Sequence, residues 1–301
     1  MPNTKKQSGV SVDLDELIQL QFQASRAKRG SKRKVMTLLS GGRLSGFRGR
    51  GMEFLETRHY QPGDDIRAID WRVTARSNNK PHTKIFHEER ERPVLVLLDQ
   101  RAAMRFGSRV AFKSVQAARA SALLAWSAMQ NGDRVGGVVL NDDRYQDIRP
   151  AGGRRGILRL FQHMAQSTND KATPPGGQNT TLASALLQLR RISHPGSFIT
   201  IFSDFQDFDK EAQHHLGQLA QHTDVLGVFI YDSLEQQLPP PGLYAISDGK
   251  QQRWLNSADK RAREIYQNLF KQRYQALEQH FQQRGLRLTQ LATHDDPATI
   301  L

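Results

Sequence analysis

Four short apolar runs constrain the fold more than any other feature of the chain. They are PVLVLLD (93–99), DRVGGVVL (133–140), SFITIFSD (197–204) and DVLGVFIYD (224–232). Continuous apolar character over so few residues marks strands covered on both faces, as in a parallel sheet. Between and beyond them lie stretches with helical spacing. Residues 110–130 carry Phe112, Val115, Ala118, Leu123, Trp126 and Met129, and 153–166, 181–192, 209–222 and 257–283 follow the same period. LRLTQL (286–291) supplies a last strand. Strands alternating with helices predict an α/β fold: a doubly wound, mainly parallel sheet with helices on both faces. Upstream, residues 11–28 place Leu14, Leu17, Ile18, Leu20 and Phe22 on one helical face, with Ser11 as cap and Asp13 and Asp15 in the first turn.

The rhythm changes near Pro93, which divides the chain into a basic N-terminal segment (1–92) and an α/β domain (93–301). A chain of 301 residues can bury a core of that size. It has no cysteine, which excludes disulfides, thiolate metal sites and cysteine nucleophiles and fits a reducing compartment. No run of about 18 apolar residues is present, so no transmembrane segment is expected. The first residues lack the apolar region of a signal peptide, and the expected location is the cytoplasm. Net charge is +13, and residues 1–92 alone hold 19 Lys and Arg against 11 Asp and Glu. Nine basic residues and no acidic one lie between Glu16 and Glu53. Such a run is a solvated helix end and loop, or a surface for an acidic protein, anionic lipid or phosphates. Phe47 is the one aromatic residue of 26–50, so base stacking is poorly supported and nucleic acid is the less favoured partner.

The densest chemistry lies in GMEFLETRHYQPGDDIRAIDWRVTAR (51–76). Opposite charges alternate there with Phe54, Leu55, Ile66, Ile69 and Trp71, which predicts a partly buried ion-pair network around apolar anchors. The stretch closely resembles the signature of a bacterial family known as domain-of-unknown-function family fifty-eight. The match runs through Gly51, Glu53, Phe54, Arg58, Tyr60, Pro62, Gly63, Asp64, Asp65, Arg67, Ile69, Asp70, Trp71, Ala75 and Arg76. Arg67, Asp70, Trp71 and Arg76 then form either an internal latch or part of a partner surface.

Two apolar runs end in an acid, Asp99 and Asp204, and Thr180 lies on the loop between them that enters a helix. In that order the residues resemble a von Willebrand factor A domain, which the family carries after its signature. Such domains bind Mg²⁺ through D-x-S-x-S, a loop Thr and a second strand-end Asp. Here the first motif reads Asp99-Gln100-Arg101-Ala102-Ala103. Both serines are lost, Ala103 offers no side-chain oxygen, and Arg101 brings a permanent charge where the cation would sit. The leading expectation is a degenerate, metal-free site in which Arg101 pairs with Asp99 or Asp204. The alternatives are a weak Mg²⁺ site of Asp99, Thr180 and Asp204, and acids that only cap helices.

No catalytic set is evident: H-E-x-x-H, G-x-S-x-G and the phosphate-loop pattern are all missing. The acid pairs Asp64–Asp65 and Asp142–Asp143 read as turn residues. The family resemblance implies a non-enzymatic adaptor that partners a MoxR-type AAA+ ATPase. The competing functions are nucleic-acid binding through residues 26–50 and a Mg²⁺-dependent ligand-binding or hydrolytic site.

Overall fold

The computed structural model of the protein describes residues 9–30, 52–61, 64, 66, 69–77, 80–88, 92–169, 180–247 and 252–301. In chain order the helices are α1 (Leu14–Gly30), α2 (Trp71–Arg76), α3 (Lys113–Gln130), α4 (Gly153–Asn169), α5 (Leu182–Ile192), α6 (Lys210–Ala220), α7 (Ser233–Gln236) and α8 (Lys260–Gln283). The strands are β1 (Met52–His59), β2 (His82–Glu88), β3 (Pro93–Asp99), β4 (Arg134–Leu140), β5 (Tyr145–Ala151), β6 (Phe198–Ser203), β7 (Asp224–Tyr231), β8 (Leu243–Ser247), β9 (Gln252–Asn256) and β10 (Arg287–Ala292). They form two compact units, Met1–Gly41 with Arg92–Leu301, and Gly42–Glu91.

The larger unit is built on a six-stranded sheet of order β10-β7-β6-β3-β4-β5. Every neighbouring pair is parallel except β4 and β5. Counted along the chain this is the 3-2-1-4-5-6 order of doubly wound sheets. The apolar runs become β3, β4, β6 and β7 because each strand serves two cores. Val94, Val96 and Leu98 of β3 point to one layer, and Leu95 and Leu97 to the other. The first layer is α1, α3 and α4, with Trp126 donating from its indole nitrogen to the carbonyl of Leu17 at 2.9 Å and Arg119 paired to Glu16 at 2.7 Å. The second layer is α5, α6 and α8, where Phe205 and Phe281 meet edge to face.

Three elements depart from the sequence reading. α1 begins at Leu14, beyond Ser11, and it buries Leu17, Leu20 and Ala24 while Phe22 is 70% exposed. A residue five after Leu17 lies 140° further round an ideal helix, off the buried stripe. β5 was not anticipated, because YQDIRPA fully buries only Ile148 and so lacks the apolar run of its neighbours. The β8–β9 hairpin has the same cause: Leu243 and Trp254 are exposed. No helix among the described residues is long and apolar enough to cross a membrane.

The smaller unit pairs β1 with β2 antiparallel, with a bulge between Phe54 and Glu56. Asp70 caps α2 by accepting from the backbone nitrogens of Arg72 at 3.0 Å and Val73 at 3.2 Å. Thr74 then accepts from the backbone nitrogen of His82 at 3.0 Å and ties α2 to β2.

Candidate functional site

Strands β3 and β6 lie side by side, yet the chain continues from β3 to β4 on one side and from β6 to β7 on the other. This is the topological switch point, where the carboxyl ends of the strands open a crevice. Asp99 ends β3, Ser203 ends β6 and Asp204 follows it. All three are buried.

Arg101 turns back onto Asp99. Its backbone nitrogen donates to Asp99 Oδ1 at 3.2 Å, and this local turn aims the side chain inward. Nε donates to Asp99 Oδ1 at 2.9 Å, and one terminal nitrogen donates to Asp99 Oδ2 at 2.7 Å and Asp207 Oδ1 at 2.8 Å. The other donates to Asp207 Oδ2 at 2.5 Å and the Thr180 carbonyl at 3.5 Å. A guanidinium has five N–H groups, so all are engaged. Burial disfavours its charge, but the hydrogen bonds it donates to Asp207 and Asp99, with the charges of those carboxylates, outweigh burial and hold its pKa above the ordinary arginine value. Burial likewise raises the Asp207 carboxyl, and Arg101 together with the backbone N–H of Leu182 carries it below the usual range.

Asp204 has a different cation. Lys113 opens α3 with its side chain fully buried, and its Nζ lies 2.7 Å from Asp204 Oδ2 and 2.7 Å from Glu235 Oε1. Glu235 belongs to a capping box on α7, in which Glu235 Oε2 accepts from the Asp232 backbone at 2.9 Å. The Asp232 carboxylate is itself fixed by the backbone nitrogens of Ser108 and Leu234, each at 2.9 Å, and by the Thr293 hydroxyl at 2.5 Å. Burial raises its pKa, and those donors bring it below the ordinary value.

The turn after Asp204 is strained. Phe205 has a φ of 52°, which costs a residue other than glycine about 1–3 kcal/mol. The Ser203 hydroxyl holds it, accepting from the Phe205 nitrogen at 3.0 Å while donating to Asp99 Oδ2 at 2.7 Å. Arg273 adds a hydrogen bond to the Asp204 carbonyl and lies over the Phe229 ring.

The expected positions are therefore distributed unevenly. Asp99, Arg101 and the Thr180 carbonyl meet in one cluster. The Thr180 hydroxyl donates to the Asn141 carbonyl, and Thr181 rather than Thr180 caps α5. Ala103 is exposed in a short 3₁₀ turn, Ala102–Met104. Asp204, the alternative partner expected for Arg101, is held by Lys113 instead; Arg101 pairs with Asp99 and also with Asp207. Asp142 follows β4 as a turn residue and accepts from the Ala102 nitrogen at 2.9 and 3.1 Å. Lys113, Ser203, Asp207 and Glu235 were not anticipated. Asp207 and Glu235 had a signal in SDFQD and in the capping box D-S-L-E; Lys113 had only its place among apolar neighbours in VAFKSV.

The A-domain resemblance implies Mg²⁺, and the donors present do not fit it. Both Asp99 oxygens accept from Arg101, both Asp204 oxygens are taken, and two fixed positive charges stand on the carboxylates a dication would need. Among the described residues no group of three His, Cys, Asp or Glu has metal-binding geometry.

The signature motif is more open than expected. Arg58 pairs with Asp64 at 2.7 Å, and Asp64 also accepts from the Gln61 nitrogen at 3.0 Å. That backbone bond first, then Arg58, holds its carboxyl below the usual range. The Tyr60 nitrogen donates to the Pro81 carbonyl at 2.9 Å. Ile66 and Trp71 were expected as buried anchors, but they are 66% and 67% exposed, and Arg76 is exposed beside them on α2. α2 is too short to hide both faces of its first residue once Asp70 has capped it. Gly63, Arg67, the Glu53 side chain and residues 31–50 lie outside the described residues.

A family model matches residues 56–276, a span that contains most of the signature, part of each compact unit and the crevice carboxylates with their cations. The chain belongs to the family described as "Protein of unknown function DUF58". Uncharacterized proteins of Mycobacterium tuberculosis and Mycobacterium bovis are similar to it. Each is 30% identical over 222 residues, which is 73% of this chain and 67% of the relative. Among solved structures, BatB from Bacteroides thetaiotaomicron is similar at 14% identity and a TM-score of 0.38, over 64% of this chain and 98% of that one. An aerotolerance-related membrane protein from Bacteroides fragilis gives 13% and 0.41, over 69% and 94%.

Proposed function

We propose that this DUF58 protein is a non-enzymatic cytoplasmic adaptor that partners a MoxR-type AAA+ ATPase in assembling or activating other proteins. The partner is an implication of the family resemblance, and the cysteine-free sequence fits a reducing cytoplasm. The observation that carries the adaptor reading is the exposure of Trp71, at 67%, inside the family signature, with Arg72 and Arg76 exposed on the same short helix. Tryptophan and arginine are the residues that most often anchor interfaces. A large aromatic group held in water by a capped helix is a cost to the isolated protein, and a partner surface would remove that cost.

The crevice supports the same reading. Its carboxylates are satisfied by the chain's own Arg101 and Lys113, so it works as a fixed scaffold and takes no metal. Arg101 has no N–H left with which to clasp an acidic ligand, so a partner's carboxylate is not recognised there.

The test is a binding titration with the MoxR-type ATPase of the same organism. The natural protein is expected to bind it, and Trp71→Ala to weaken the complex about 30-fold, the effect of a hot spot of about 2 kcal/mol. An ATPase that binds both proteins equally would remove Trp71 from the interface, and one that binds neither would refute the adaptor reading.

A further inference from the structure

Two cations stand on the two carboxylates at the switch point, and they come from different parts of the chain. Arg101 follows Asp99 by two residues and grips both of its oxygens. Lys113 reaches Asp204 from the first turn of α3 and brings Glu235 with it. Nothing local explains a lysine there. The amino end of a helix repels positive charge, and full burial removes its water. Its chain neighbours Ala111, Phe112 and Val115 pack in or against the apolar core. Only the carboxylates of Asp204 and Glu235, 91 and 122 residues away, account for its position.

We propose that Arg101 and Lys113 act jointly as an internal substitute for a divalent cation, Arg101 for Asp99 and Lys113 for Asp204. Each alone is enough to keep a metal out. Loss of Arg101 would take the guanidinium off Asp99 but leave the ammonium on Asp204; loss of Lys113 would leave the guanidinium on Asp99. Only the loss of both would leave Asp99 and Asp204 without a side-chain cation, two buried carboxylates whose charge Mg²⁺ or Mn²⁺ would then neutralise. The proposal rests on the metal-independent reading of the crevice above and adds to it a second residue that sequence patterning does not single out.

The test compares four proteins: the natural chain, Arg101→Ser, Lys113→Met and the double variant. Each is titrated with Mg²⁺ or Mn²⁺ alone, with the melting temperature and the free-Mn²⁺ paramagnetic resonance signal as readouts. Only the double variant is expected to bind, with Tm rising by about 5–10 °C at metal about 100-fold above its Kd. If the double variant is unfolded without metal, folding on addition of Mn²⁺ is the expected result, and failure to fold at saturating Mn²⁺ overturns the proposal. A folded double variant that binds no metal also overturns it, as does either single variant that binds as tightly as the double. Binding by the natural protein would be a different failure, that of the metal-independent reading itself.

Discussion

Lys113→Met is the sharpest perturbation of the crevice. Methionine nearly preserves the volume and removes the ammonium. Asp204, 1% exposed in its side chain, would then be a buried charge without its cation, while Glu235, 20% exposed, can turn to water. Breaking a buried pair by removing one partner costs about 3–5 kcal/mol. At about 2–4 °C per kcal/mol for a unit of this size, Tm should fall by about 6–20 °C. Urea denaturation followed through Trp126, which is fully buried against Phe161, would give the free energy directly. Adding Asp204→Asn removes the orphaned charge, so the double variant should cost at least about 2 kcal/mol less than the sum of the two single changes. A loss below about 1 kcal/mol for Lys113→Met, or strict additivity in the cycle, would refute the claim that these charges support each other in a dry site.

Other perturbations have equally definite outcomes. Asp207 and Asp232 have lowered folded-state pKa values, so their contribution is complete above the ordinary carboxylate value of about 3.9 and is lost as pH falls through the lowered ones. Burial and the Arg284 charge lower His280, which adds a smaller loss as pH falls below the ordinary histidine value of about 6.5. Urea midpoints between neutral and strongly acidic pH should show both steps, and Asp232→Asn should shrink the acid one. Gly137→Ala in β4 would place its Cβ 2.0 Å from the Val96 carbonyl oxygen of the adjacent strand; because backbone rather than a movable side chain is struck, it should cost at least about 3 kcal/mol, the upper end of ordinary overpacking, and lower Tm by about 6–12 °C or more. Trp71→Ala should change unfolding free energy by no more than about 0.5 kcal/mol, because an exposed side chain gives up little on truncation.

The sheet was readable because the doubly covered strands write their burial locally. Val94 to Leu98 are apolar on both faces, and so are the runs that became β6 and β7. β5 was not readable, because an edge strand with Arg149 and Asp147 facing solvent looks like a loop. Half of the crevice was also local. Asp99 and Arg101 are two residues apart, and the missing serines pointed to their pairing. The other half is long-range. A lysine at the start of an amphipathic helix reads as solvated, and only the folded chain brings Asp204 and Glu235 to it. Trp71 failed in the opposite direction, since a tryptophan among alternating charges reads as an anchor, and the exposed face of a six-residue helix is decided by packing.

The central claim, that the switch-point carboxylates are closed by the chain's own cations, is tested most directly by a crystal of the natural protein soaked in Mn²⁺ and measured at the manganese absorption edge. The account predicts no anomalous peak between Asp99 and Asp204, with Arg101 on Asp99 and Asp207 and Lys113 on Asp204 and Glu235. A manganese peak held by Asp99 and Asp204, with Arg101 or Lys113 turned away, would contradict it.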